Sequence, residues 1–317
     1  MKKLMALMLS LVMVFAVAGC GNTNTNEDAT DASAANETLT VGICQLMVHD
    51  SLDAATKGFV DALGEKAQEA GVEVEFDTQV AGDANLCTTV INTFTAKDVD
   101  LIMANATPAL LAAASATDSI PVLGTSVTDY TDTFKGSIPA NVTGTSDAVP
   151  FDEQAKMMID TLKLVEGDVV GVLYCTNESN SLIQYEAVKA LFEEEGIVVN
   201  AYTFSETTEL QALVTKAAGE IKALYVPSDN TVAANDTVVG TICNENKVPV
   251  FTSYGGAVCY ASLAIDYYEL GRETGLMAAE ILLNGKAATD FEVKTLTPTV
   301  VHNNELCEAL GIEVPAN

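Results

Sequence analysis

At 317 residues, 49% of them hydrophobic and 6% aromatic, the chain is long enough for two domains with apolar cores, and its composition argues against disorder. The net charge is −29, from 15 Lys and Arg against 44 Asp and Glu; this argues against a nucleic-acid surface and against adhesion of the folded part to anionic lipid. Arg272 is the sole arginine, so an anionic group must be met by hydroxyls and helix N-termini, not by guanidinium forks.

Residues 1–19 have the pattern of a bacterial export leader. Lys2 and Lys3 are followed by an apolar run, Leu4 to Val17, that is short for a membrane span. Val17-Ala18-Gly19-Cys20 resembles the lipobox of bacterial lipoproteins, which implies a lipid on Cys20 and anchoring by several acyl chains. Residues 20–38 are rich in Asn, Thr, Ala, Asp and Ser without apolar periodicity, as expected of a flexible tether.

From residue 39 the pattern alternates. Strands are predicted at Leu39 to Leu46, Val72 to Phe76, Leu101 to Ala104 and Pro121 to Leu123, with helices from Ser51, over Ala84 to Lys97 and from Thr107-Pro108. An extended segment, Asn141 to Asp147, leads to a helix over Phe151 to Leu164. The series then restarts with strands at Val169 to Tyr174, Ile197 to Tyr202, Ile221 to Val226 and Val248 to Thr252. Its helices are predicted at Ser181 to Glu194, Glu206 to Ala218 and Asn230 to Asn244. Leu263 to Tyr267 is extended, Glu269 to Leu283 helical, Thr297 to His302 a further crossing and Asn304 to Leu310 the last element. Repeated βα units of this kind predict an α/β fold of two doubly wound parallel-sheet lobes joined by three crossings. Lobe 1 is expected over 39–144 plus 268–297 and lobe 2 over 145–267 plus 298–317.

Ligands of open parallel sheets sit beyond the carboxyl ends of the strands. Those ends offer Gln45 and Met47, Thr107, Ser126 and Asp147 in the first half, and Asn177, Asn180, Ser181, Asp229, Asn230, Tyr254 and Asp266 in the second. Hydroxyls, amides and an acid of this kind suit a small zwitterion: Thr107 and Ser126 for a carboxylate, Asp229 for an ammonium. Thr107, Ser181 and Asp229 are equally good helix N-caps, Asn177 and Asn180 ordinary turn residues, Tyr254 a packing residue and Asp266 a hinge tie.

Seven cysteines without C-x-x-C spacing and two distant histidines, His49 and His302, argue against a metal site. The six cysteines after Cys20 lie in apolar patterns and read as buried small hydrophobes. Nucleophile-elbow, P-loop and dinucleotide signatures are missing, so neither an enzyme nor a cofactor is expected.

Taken together, Val41-Gly42-Ile43, Leu52 to Ala55, Lys57-Gly58-Phe59, Ala106-Thr107-Pro108, Asn141 to Pro150, Gly171 to Tyr174, Glu178 to Ser181, Val226 to Val232 and Ile265 to Arg272 resemble the ABC-transporter substrate-binding lipoproteins that include tryptophan- and tyrosine-binding members. The resemblance implies a type I periplasmic-binding-protein fold and a monomeric receptor, lipid-anchored outside the cytoplasm, that delivers a small solute to a permease and its ATPase. By the same resemblance Thr107 and Ser126 form a carboxylate corner and Asp229 an ammonium partner. The specificity wall would be Cys44 to His49 and Tyr254 to Ala257, and an aromatic amino acid is the implied ligand. A nucleoside or sugar receptor of the same fold, or a sensing lipoprotein uncoupled from transport, is the alternative.

Overall fold

The computed structural model describes residues 38–312. The expected leader, Cys20 and nearly all of the tether lie outside the described residues, as do residues 313–317.

The first sheet is built from β1 (Leu39–Gln45), β2 (Val74–Val80), β3 (Leu101–Asn105), β4 (Val122–Val127), β5 (Val142–Ser146) and β11 (Lys294–Thr295), in the order β11-β5-β4-β3-β1-β2, all parallel. Alternating side chains give it two apolar faces. Val41, Ile43, Leu101 and Met103 pack under α1 (Asp50–Ala70) and α10 (Tyr267–Asn284). Cys44, Ile102, Ala104 and Val122 pack under α2 (Ala84–Lys97) and α3 (Thr107–Ala116). Between β4 and β5 lies the one-turn helix α4 (Tyr130–Thr133).

The second sheet has the order β7-β6-β8-β9, again parallel, from β6 (Val169–Cys175), β7 (Val198–Phe204), β8 (Ala223–Val226) and β9 (Val250–Thr252). One face packs on α7 (Thr207–Ala218) and α9 (Asp236–Glu245) through Leu210, Val214, Val239 and Cys243. The other packs on α5 (Phe151–Leu162), α6 (Ser179–Glu194) and α11 (Asn304–Leu310) through Met158, Val188, Phe192 and Cys307. Burial of both faces explains why these strands read as continuous apolar runs.

The chain passes between the two sheets three times: from β5 to α5, from β10 (Ala261–Ala264) to α10, and from β11 to β12 (Thr299–His302). This is the two-lobed α/β architecture expected, with differences of detail. β4 runs on through Gly124-Thr125-Ser126, where the strand was expected to stop at Leu123. The last crossing is a strand, β12, paired antiparallel with β10. The helix expected over 230–244 is broken into α8 (Asn230–Ala233) and α9, because Asn235 turns its amide back to the Thr231 carbonyl at 2.8 Å.

Cys44, Cys87, Cys175, Cys243, Cys259 and Cys307 are all free and buried, in keeping with their role as small core residues. Among the described residues no helix is long and apolar enough to cross a membrane, and no group of three or more His, Cys, Asp or Glu side chains is placed to hold a metal ion.

Candidate functional site

The carboxyl ends of the two sheets face a common cavity. His49, Ser51, Leu52, Ser126 and Asp147 line it from the first sheet's side, Ser228, Asp229, Asn230, Ala233 and Tyr254 from the second's, and Tyr267, the first residue of α10, closes it. As it stands the cavity measures about 10 Å³, the room of a single water molecule.

Hydrogen-bond accounting separates the polar groups around it. Among the described residues seven buried side-chain atoms lack a partner, and Asn105 Oδ1, Ser126 Oγ, Asp147 Oδ1 and Asn180 Oδ1 all sit at strand ends or in the helix start that follows. Buried polar atoms are otherwise paired almost without exception, so such a grouping marks a site that something polar completes. Ser126 and Asp147 line the cavity itself.

Local backbone geometry aims Ser126. Between Gly124 and Val127 the register of β4 against β5 slips, and Ser126 adopts a left-handed φ of 55°. A bulge of this kind redirects one side chain off the strand end. Asp147 follows β5 directly. Its Oδ2 accepts from the Tyr267 hydroxyl at 2.8 Å, while Oδ1 is left over. Burial pushes the Asp147 carboxyl up, opposed by the Tyr267 and Thr128 hydroxyls and by its own backbone N–H.

Asp229 is placed differently. Its Oδ2 accepts from Cys175 N at 2.7 Å and Ser181 Oγ at 2.8 Å, its Oδ1 from Val232 N at 2.9 Å. Burial beside Glu178 raises its pKa against these three donors. The N–H groups at the start of α8 are all taken. Asn230 N and Thr231 N donate to Glu178 at 2.9 and 2.8 Å, Val232 N to the Asp229 side chain and Ala233 N to the Asp229 carbonyl. Asp229 therefore acts first as a cap and strap of the second lobe.

The remaining expected residues fall into an outer layer. Gln45 is spent within its own loop, donating to Met47 O and Asp53 and accepting from Thr56. Met47 packs on the first lobe's core. Thr107 is buried at the start of α3 without lining the cavity. Asn180 donates to Ser228 O at 2.8 Å, and Ser181 serves Asp229. Asn177 is exposed and donates to Ser205 O. Asp266 is exposed and caps α10 by accepting from Glu269 N at 3.1 Å, so it does not face the cavity. Tyr254 lines the cavity with its hydroxyl given to Asp236 at 2.7 Å.

His49, the end of the expected Cys44-to-His49 wall, does line the cavity, whereas Tyr267 in its wall and Glu178 behind it were not among the expected residues. Glu178 is buried and receives the Asn230 and Thr231 N–H groups, the Asn230 amide and the Thr231 hydroxyl, all from a segment some fifty positions away. An acid placed immediately before the predicted α6 was its only sequence signal, and it pointed to that helix and not to α8.

The family model for ABC transporter substrate-binding proteins matches residues 40–317. The chain belongs to this family. Family members are solute-binding proteins, not enzymes. A relative described as the tyrosine-binding protein of Clostridioides difficile (strain R20291) is 33% identical over 328 residues, covering 98% of this chain and 93% of the relative. Among solved structures, a streptococcal (Streptococcus pneumonia) ABC domain in complex with L-Trp is similar at a TM-score of 0.80 and 31% identity, covering 88% of this chain and 96% of that one. The ligand-free, open structure of a Clostridium difficile substrate-binding protein with adhesive properties is similar at 0.65 and 34% identity, covering 88% and 97%. At near-equal identity this substrate-binding protein thus matches the L-Trp complex better than the open form.

Proposed function

We propose that this chain is the solute receptor of an ABC importer and binds an amino acid in the cleft between its lobes, the ammonium on Asp147 and a further polar group on Ser126. One observation carries the reading: Ser126 Oγ and Asp147 Oδ1, on adjacent strand ends, are buried without partners in the wall of one cavity. That wall contains no Lys or Arg, so the carboxyl of Asp147 is completed by a cationic group from outside the chain. Asp229, Asn230 and Tyr254 form the opposing wall. The rings of Tyr254 and Tyr267, together with a tyrosine-binding relative and an L-Trp-bound one, support an aromatic side chain.

The leader, the lipobox at Cys20 and family membership support a monomer tethered to the extracytoplasmic face of the membrane, passing solute to a permease driven by an ATPase.

A thermal-shift series with L-tyrosine, L-tryptophan, a nucleoside and glucose tests the ligand class, since a bound ligand raises the melting temperature by mass action. One of the two amino acids is expected to do so. Asp147→Asn is expected to weaken its calorimetric affinity at least about tenfold, the scale of one charge-assisted hydrogen bond. A shift with the nucleoside or the sugar alone overturns the reading.

A further inference from the structure

His49 is the last residue of the loop between β1 and α1. Its side chain makes no capping hydrogen bond to α1, although it occupies the N-cap position. Instead it reaches across the cleft, with Nε2 3.3 Å from Oδ1 of Asn230, the first residue of α8 in the opposite lobe. The Asn230 amide cannot turn freely. Its Nδ2 donates to Glu178 at 2.6 Å, and its backbone N–H donates to the same carboxyl oxygen at 2.9 Å. With the amide nitrogen held from behind, only the oxygen faces the cleft, and the imidazole must present Nε2–H to it. Burial draws the His49 pKa down, opposed by the Asn230 contact and by Glu178, Asp53 and Asp50, and the neutral Nε2–H tautomer already satisfies the contact.

We infer that His49 is a latch between the lobes: its Nε2–H donates to Asn230 when the cleft closes, and Glu178 holds the acceptor ready. The inference rests on the reading of the cleft as a solute site. His49 and Asn230 both line the cavity, so the contact closes over whatever occupies it. Asp229, which precedes Asn230, is carried into the wall by the same turn of α8. Among the described residues, a second side-chain hydrogen bond between the lobes, Gln184 to Thr128 at 3.2 Å, lies beside the first crossing, where Ser146 Oγ also donates to the Thr128 carbonyl and the chain already joins the two halves. The His49 contact is where closure has to be held by side chains.

Two measurements test the latch. Stopped-flow dissociation of L-tyrosine or L-tryptophan is expected to quicken about three- to tenfold in His49→Ala, the scale of one neutral hydrogen bond, and to quicken less in His49→Gln, whose amide supplies a replacement N–H. Wild-type rates in His49→Ala overturn the latch. Independently of any ligand, the His49→Cys/Asn230→Cys double variant is treated with a short bifunctional thiol cross-linker and digested. A peptide joining positions 49 and 230 is expected, because the two meet in solution, and its absence overturns the latch. A 49–230 cross-link in a protein that binds neither amino acid supports the closing contact and overturns only the ligand reading.

Discussion

Asp147 and Asp229 are both buried acids at strand ends, and hydrogen-bond accounting gives them different work. Asp229 has donors on both oxygens; Asp147 keeps one oxygen free. The sequence places both at the cleft but cannot rank them, because the donors that occupy Asp229 come from Cys175 and Ser181, far back in the chain. A third acid bears on the wall of the cavity. Half-buried Asp236 accepts from the Tyr254 hydroxyl, yet burial dominates and raises its pKa to about 6 from the model-peptide value of 3.8. A raised folded-state value means that the native protein holds this proton more tightly than the unfolded chain. The contribution is therefore stabilising below about pH 4 and is lost as pH rises through about 6. Asp236→Asn, which keeps an acceptor for Tyr254, is expected to stabilise the protein by about 1–3 kcal/mol at pH 7.5 and by little at pH 4. Denaturant titrations at the two pH values check this, and a pH-independent gain would rule out the burial argument. Glu178 and Tyr267 were not legible as site residues for the same reason as the ranking: their partners lie on other elements.

At the scale of elements, α10 is what attaches the second lobe's return strand to the first lobe. It can lie against α1 because Gly58, Gly271 and Gly275 leave no side chains between the helices. A Cβ on Gly271 would run into the Ala55 carbonyl, and one on Gly58 into the Tyr268 carbonyl. Gly271→Val is expected to cost at least about 1–3 kcal/mol by overpacking, and to disturb Tyr267 four residues upstream. Gly64→Ala, in the same α1 but with open space around it, is expected to gain about 0.5–1 kcal/mol. Equal effects of the two substitutions in chemical denaturation would show that close approach does not set the position of α10. Much of this level was legible. Strict βα alternation with both faces buried gave most helices and strands of both sheets within a few residues, but neither the edge strand β11 nor the one-turn helix α4. What was not legible came from outside the local pattern. β4 continues to Val127 because β5 pairs with it across a bulge, and the helix at 230 breaks where Asn235 folds back on Thr231. Hydrophobic periodicity carries no trace of either.

For the whole molecule, the cavity and the comparisons point to one equilibrium. On the proposed reading, a space of about 10 Å³ is too small for an amino acid, and the lobes would part about the three crossings to admit it. Of two relatives of similar identity, the L-Trp complex is the more similar in structure, at a TM-score of 0.80, and the open, ligand-free one the less, at 0.65. Away from the crossings, the described side-chain hydrogen bond between the lobes is that of His49 with Asn230, worth about 1 kcal/mol. With no cation in the cavity wall, closure of an empty cleft sets Asp147 on one side opposite Asp229 on the other with nothing positive between them. A ligand ammonium removes that penalty and adds contacts found only in the closed state, and such differential affinity is what shifts a population. Small-angle scattering is therefore expected to show a larger radius of gyration for the free protein than this structure gives. Saturating L-tyrosine or L-tryptophan should shrink it in the wild type but not in Asp147→Asn, where the ammonium has no charge to meet. If the free protein already scatters as the closed form, or if Asp147→Asn closes as fully as the wild type, the charge of Asp147 is not what couples ligand to closure.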